Sequence, residues 1–158
     1  FIIIFINNFA PLGGGAIHLV VDNSFHRNSP MERCTITDCT FISNVDSNNC
    51  GNAIYFSSEN PDAETVLTIY SCLFTNNGNT ENGNIYSIVS DAPYLICKNS
   101  IFESTSNSHL VSGIRIEADT KTAQIEKCQF LNNYGFSSID IRVNSSRQID
   151  IIDTLFVM

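Results

Sequence analysis

The 158-residue sequence predicts an all-β fold, a right-handed parallel β-helix of about five coils with three short strands per coil. Three observations lead there. A phenylalanine recurs with a short polar tail, apolar or small residues recur at fixed distances before it, and length variation is confined to one part of each repeat. Self-similarity at a period of a few tens of residues marks a solenoid, whose repeats bury their apolar faces only against each other.

The phenylalanine comes first. Phe5 is followed by INN, Phe41 by ISN, Phe74 by TNN, Phe102 by EST and Phe130 by LNN, and Phe156 stands near the end; the intervals are 36, 33, 28, 28 and 26. The opening FIIIFINN is therefore the tail of a repeat and not a targeting segment, for it has no basic leading region and no small-residue cleavage site. No apolar run approaches the roughly 18 residues of a membrane span.

The residues ahead of each Phe supply two more strands. Seven positions before it stand Cys34, Leu67, Leu95, Ala123 and Ile149; five before it, Ile36, Ile69, Cys97, Ile125 and Ile151; two before it, Cys39, Cys72, Ser100, Cys128 and Thr154. Side chains alternate along a strand with period two, so the first two columns share one face. The third column and the Phe share a face of opposite parity, and a bend must fall between. The Asn-rich pair after each Phe makes a second corner, because Asn tolerates left-handed backbone geometry. A third strand follows in GGGAIHL, GNAIYF, GNIYSI, SGIRIE and SSIDIR, with Ile17, Ile54, Ile85, Ile114 and Ile139 leading the inward set. The stretch from there to the next repeat varies in length, as solenoid corners do. Four complete and two partial coils at about 4.8 Å each give a rod of roughly 20–25 Å.

Charged residues are only 15% of the chain and the net charge is −8, with the acids scattered singly. This argues against nucleic-acid binding, which needs clustered Lys and Arg, and against docking on an anionic membrane surface. Five of the six cysteines fall in inward columns, where Cys acts as a small hydrophobe; Cys50, beside Gly51, is the expected exposed thiol. No CxxC pair occurs and the three His are far apart, so neither a metal nor another cofactor is expected.

The outward row of the third strand reads His18, Tyr55, Tyr86, Arg115 and Asp140, and two positions on, Val20, Ser57, Ile88, Glu117 and Arg142. Arg115 is expected beside Asp140, and Glu117 beside Arg142. As a ligand face, Tyr55 and Tyr86 form a platform for a sugar ring, flanked by Arg115 and Asp140. As a surface ladder, the same residues only hold the register. Catalysis on polysaccharides needs paired carboxylates or acids around calcium; here Asp38, Asp150 and Asp153 lie near one corner and Asp140 on another face, so no catalytic residue is assigned. Asn144 opens an Asn-Ser-Ser sequon, a glycosylation site if the chain is secreted.

GGGAI with CTFISN, GNAIYF with CLFTNN, and CQFLNN resemble the paired GGAI and FxxN repeats of the polymorphic outer-membrane protein family. That resemblance spans nearly the whole chain, and implies a surface-exposed or secreted adhesin with a right-handed β-helical passenger. It implies host surface glycans or proteins as partners. Later repeats depart from the pattern in SSIDIR and FEST. Residues 1–158 then form one β-helix segment, a piece of a longer solenoid whose neighbouring coils would cover its ends; alone it is expected to fray or aggregate. The competing expectations are a polysaccharide-acting β-helix enzyme and a purely structural spacer.

Overall fold

Each coil is shaped by two corners, and among the described residues both rest on a left-handed backbone except in the coil of Phe102, whose second corner at Ser104 has no positive φ. Three positions before the core phenylalanine, Asp38, Ser71, Asn99, Lys127 and Asp153 have φ between 48° and 53°; two positions after it, Asn7, Ser43, Asn76 and Asn132 have φ between 51° and 53°. One such residue breaks the alternation of the strand and turns the chain. The corner amides stay bonded because each donates to a carbonyl in the next coil: Asp38 to Tyr70 at 3.1 Å, Ser71 to Lys98 at 3.1 Å and Asn99 to Glu126 at 3.0 Å. At these corners the turn therefore leaves the amide paired.

The computed structural model describes residues 3–11, 13–21, 33–47, 51–58, 64–77, 86–105, 113–133, 138–144 and 147–157. Among the described residues there are strands and no helix. A first partial coil holds β1 (Ile3–Ile6), β2 (Phe9–Ala10) and β3 (Ile17–Val21). The first complete coil holds β4 (Arg33–Thr37), β5 (Cys39–Ile42), β6 (Val45–Asp46) and β7 (Ile54–Ser58). Three further coils follow: β8 (Val66–Tyr70), β9 (Leu73–Thr75) and β10 (Ile88–Ser90); β11 (Tyr94–Lys98), β12 (Ile101–Glu103) and β13 (Ile114–Ile116); β14 (Thr122–Glu126), β15 (Gln129–Leu131) and β16 (Ile139–Ile141). The last partial coil holds β17 (Gln148–Ile152) and β18 (Leu155–Val157).

Like strands stack coil over coil. The phenylalanine sheet runs β1-β5-β9-β12-β15-β18, the lead-in sheet β4-β8-β11-β14-β17 and the return sheet β3-β7-β10-β13-β16, while β2 and β6 pair separately. Every pairing is parallel. This is the expected parallel β-helix.

The core is a set of columns. Phe5, Phe41, Phe74, Phe102, Phe130 and Phe156 stack with centroids 4.7–5.1 Å apart and planes within 8°. Phe41, Phe74 and Phe102 are fully buried, whereas Phe156 is 50% exposed on the end coil. Beside this stack runs an asparagine ladder. Asn8 donates to Asn44 Oδ1 at 2.8 Å, and Asn44 donates to Asn77 Oδ1 at 2.9 Å. Asn44, Asn77 and Asn133 also donate to the carbonyls of Phe5, Phe41 and Phe102, one coil back. The third residue of the tail, Asn8, Asn44, Asn77 or Asn133, is thus a bonded part of the coil's interior, while the EST tail, with Thr105 in that place, is tied to the preceding coil through two hydrogen bonds between Thr105 and Asn76.

The cysteine column has its own logic. The Cys39 thiol donates to the carbonyl two residues back at 3.2 Å, across the left-handed corner, and Cys72, Ser100, Cys128 and Thr154 repeat this contact at 3.4, 3.0, 3.5 and 3.0 Å. What the corner selects is a small side chain with a donor, which is why Ser and Thr replace Cys there. All five described cysteines are free thiols. Burial pushes the Cys72 thiol up to about 11.

Candidate functional site: the outer face of the return sheet

Each return strand begins on an isoleucine preceded by a small residue. The amides of Ala16 and Ile17 both donate to the Ala53 carbonyl, and those of Ala53 and Ile54 both donate to the Ser87 carbonyl, at 2.9–3.1 Å. At Gly51 the chain enters this bifurcated contact with φ +78°, and a Cβ there would lie 2.1 Å from the Ile54 carbonyl oxygen, so only glycine fits.

This geometry corrects the expected register in one coil. Ile88, and not Ile85, pairs with Ile54 on one side and Ile114 on the other; Ile85 itself lies outside the described residues. The outward row therefore reads His18, Tyr55, Val89, Arg115 and Asp140, with Val89 in the place expected for Tyr86. The parallel row carries Asp91 where Ile88 was expected, since the amides of Asp91, Glu117 and Arg142 each donate one coil back, to Phe56, Ser90 and Ile116. The sequence held the signal. Ser87 before Ile88 matches Ala16, Ala53, Gly113 and Ser138 before their isoleucines, whereas Asn84 precedes Ile85.

The four expected ligand residues nonetheless form one patch. Tyr86 is buried to 2% exposure and packs with Val89 and the half-buried Tyr55. The Arg115 guanidinium lies 4.4 Å from the centre of the Tyr86 ring, a cation–π contact. Tyr86 is therefore a buried support with its face covered by Arg115, and no second open platform. Tyr55 is the accessible ring, with His18 tilted against it at 4.9 Å and 31°.

The charged end sorts differently from the expected ladder. Arg115 Nε is 3.2 Å from Asp140 Oδ2, as expected, but Arg142 turns back to the same oxygen at 2.9 Å, and Glu117 lies 3.9 Å from Arg115. Asp140 accepts from two arginines because Arg115 is its partner in the neighbouring coil and Arg142 lies two residues on, on the same face of the strand. At the adjoining corner Asp91 Oδ1 accepts the Asp119 amide at 3.1 Å. Burial raises the Asp91 carboxyl to about 6, helped by the charges of Asp119 and Glu117. Among the described residues no group of three His, Cys, Asp or Glu side chains could hold a metal ion.

Asn144 is exposed, while the other sequon residues, Ser145 and Ser146, lie outside the described residues, as does Cys50. A shallow groove of about 330 Å³ crosses the outer face of the lead-in sheet between Arg33, Tyr94 and Gln124, away from the return-sheet patch. Comparison with protein-family models, curated proteins and solved structures finds no match to this chain.

Proposed function

We propose that the chain is a non-catalytic β-helix segment of a surface or secreted, adhesin-like protein, and that it holds a glycan or a protein partner against the return sheet. The observation that carries this is the ordered change along one row: an accessible Tyr55–His18 ring pair, then Val89, then Arg115, Asp140 and Arg142. A ring face takes the apolar side of a sugar, and the carboxylate and guanidinium beyond it accept and donate to hydroxyls. The resemblance of the repeats to the GGAI and FxxN pattern supports the same reading. No cofactor is required, and the net charge of −8 disfavours nucleic acid as a partner.

Two experiments test it. Titrating an isotope-labelled chain with neutral oligosaccharides is expected to shift the amides of His18, Tyr55, Val89 and Arg115, and Tyr55→Ala is expected to abolish the shifts. If neither sugars nor cell-surface protein extracts perturb this face, the segment is a spacer. Protease shaving of intact source cells should remove the chain from an immunoblot; protection would contradict surface exposure.

A polysaccharide-acting enzyme is the second reading, favoured by Asp91 alone: its carboxyl, raised to about 6, stands by acids from the next coil. It predicts cleavage of acidic polysaccharide that Asp91→Asn eliminates. The first reading predicts no product from any such substrate.

A further inference from the structure

The phenylalanine sheet differs from the other two in being apolar on both faces. Its outward side chains form two rows. One is Ile4, Thr40, Leu73, Ile101, Gln129 and Leu155; the other is Ile6, Ile42, Thr75, Glu103, Leu131 and Val157. Eight of these twelve positions are apolar, and only Glu103 is charged. Ile4, Ile6, Leu155 and Val157 are 42–56% exposed, and Ile42, Leu73, Ile101 and Leu131 are partly exposed between them. A continuous apolar stripe on a water-facing sheet marks a contact surface.

The order of polarity along the stripe identifies the occupant. A two-fold axis lying along the strands, between β9 and β12, sets each coil of one copy against the opposite coil of another. Leu73 then meets Ile101, Thr40 meets Gln129 and Ile4 meets Leu155 in one row; Thr75 meets Glu103, Ile42 meets Leu131 and Ile6 meets Val157 in the other. Every apolar residue faces an apolar one and every polar residue a polar one. The rim obeys the same symmetry with opposite charges, for the exposed corner residue Asp38 comes opposite Lys127, which is exposed on the corresponding corner, with Ser71 opposite Asn99 between them. The other face-to-face symmetry, with the axis along the rod, would set Ile101 against Glu103 and Leu73 against Thr75. An isologous interface requires a patch that matches itself, and only the first axis provides one.

We propose that two copies of this chain pair through the outer faces of their phenylalanine sheets, with the rods antiparallel. The inference is independent of the return-sheet ligand. The pairing leaves that face open, so a dimer would present two such strips, and each copy would gain avidity on a multivalent surface.

The test is a charge swap at the rim. Asp38→Lys and Lys127→Asp both suit their corners, because Lys127 and Asp38 already occupy the same position of other coils with φ 53° and 51°. Analytical ultracentrifugation of the chain is expected to show a concentration-dependent dimer. Either single substitution should weaken it by about threefold to thirtyfold, since two ion pairs are lost and like charges meet. The double variant should restore it. In a mixture of isotope-labelled and unlabelled chains, a zero-length carbodiimide should join Lys127 of one copy to Asp38 of the other. A monomer at every concentration up to about 1 mM overturns the proposal. So does a dimer whose single variants are not rescued by the double one, or that gives no Lys127–Asp38 intermolecular link. Circular dichroism of each variant separates lost pairing from lost fold.

Discussion

The phenylalanine sheet and the return sheet are built from the same kind of repeat, yet they fix their register in different ways. On the phenylalanine sheet a left-handed residue precedes the core ring by three positions in every coil from Asp38 to Asp153, and the Phe column forms an unbroken stack. The distance from the lead-in strand to the ring is constant because the corner between them is one residue sharp. The return sheet has no such fixed count. The segments that lead into it and out of it vary in length, and its register is marked by a small residue before each isoleucine, which in the first two return strands lets two successive amides reach one carbonyl. A one-residue corner makes sequence spacing a reliable ruler; a variable loop makes the local packing requirement the better guide.

That contrast can be broken first at the rings. Phe74→Ala removes the middle of the stack and leaves a cavity between Phe41 and Phe102, so it should cost about 3–5 kcal/mol in urea unfolding. Ile88→Ala should cost about 2–5 kcal/mol, a core-sized loss at a position that the GNIYSI pattern alone places on the surface. Next comes Asn77→Ala, expected at about 1–3 kcal/mol because it leaves the Phe41 carbonyl and the Asn44 amide short of partners. Its unfolding midpoint should fall without a change in denaturant slope.

The smallest effect depends on pH. The Asp91 carboxyl is about 6 in the fold against an ordinary 3.8, so the folded chain holds its proton longer than the unfolded chain does. Stability therefore falls as pH rises from about 4 to 6. Asp91→Asn removes that loss and should be the more stable protein at pH 7 by about 1 kcal/mol, a figure reduced for the part of the side chain that faces water. Near pH 3.5 the two should unfold together.

Much of the fold was legible in the sequence because it is written in columns. Every strand partner on the phenylalanine and lead-in sheets follows from counting back from Phe, from Cys34 beside Leu67 to Ile125 beside Ile151. The chemistry of some columns was not legible in that count. Cys39, Cys72, Ser100, Cys128 and Thr154 read as small core residues, and only the corner geometry shows that each clamps a carbonyl. The return-sheet patch was half visible. Tyr55, Arg115 and Asp140 were placed correctly relative to one another's coils, but the slip at Ile88 hid Val89 and Asp91 and gave Tyr86 an exposure that it does not have. The apolar outer stripe was present in FIIIFI, CTFI and TLFV, where runs without alternation signal a strand wanted on both faces.

The central claim is the register that stacks Val89 between Tyr55 and Arg115, because both the patch and the acidic corner depend on it. Amide-to-amide nuclear Overhauser effects in a deuterated, amide-protonated sample test it directly. The structure predicts cross-peaks linking Val89 to Tyr55 and to Arg115. Cross-peaks from Tyr86 to those two residues, in place of Val89, would contradict it.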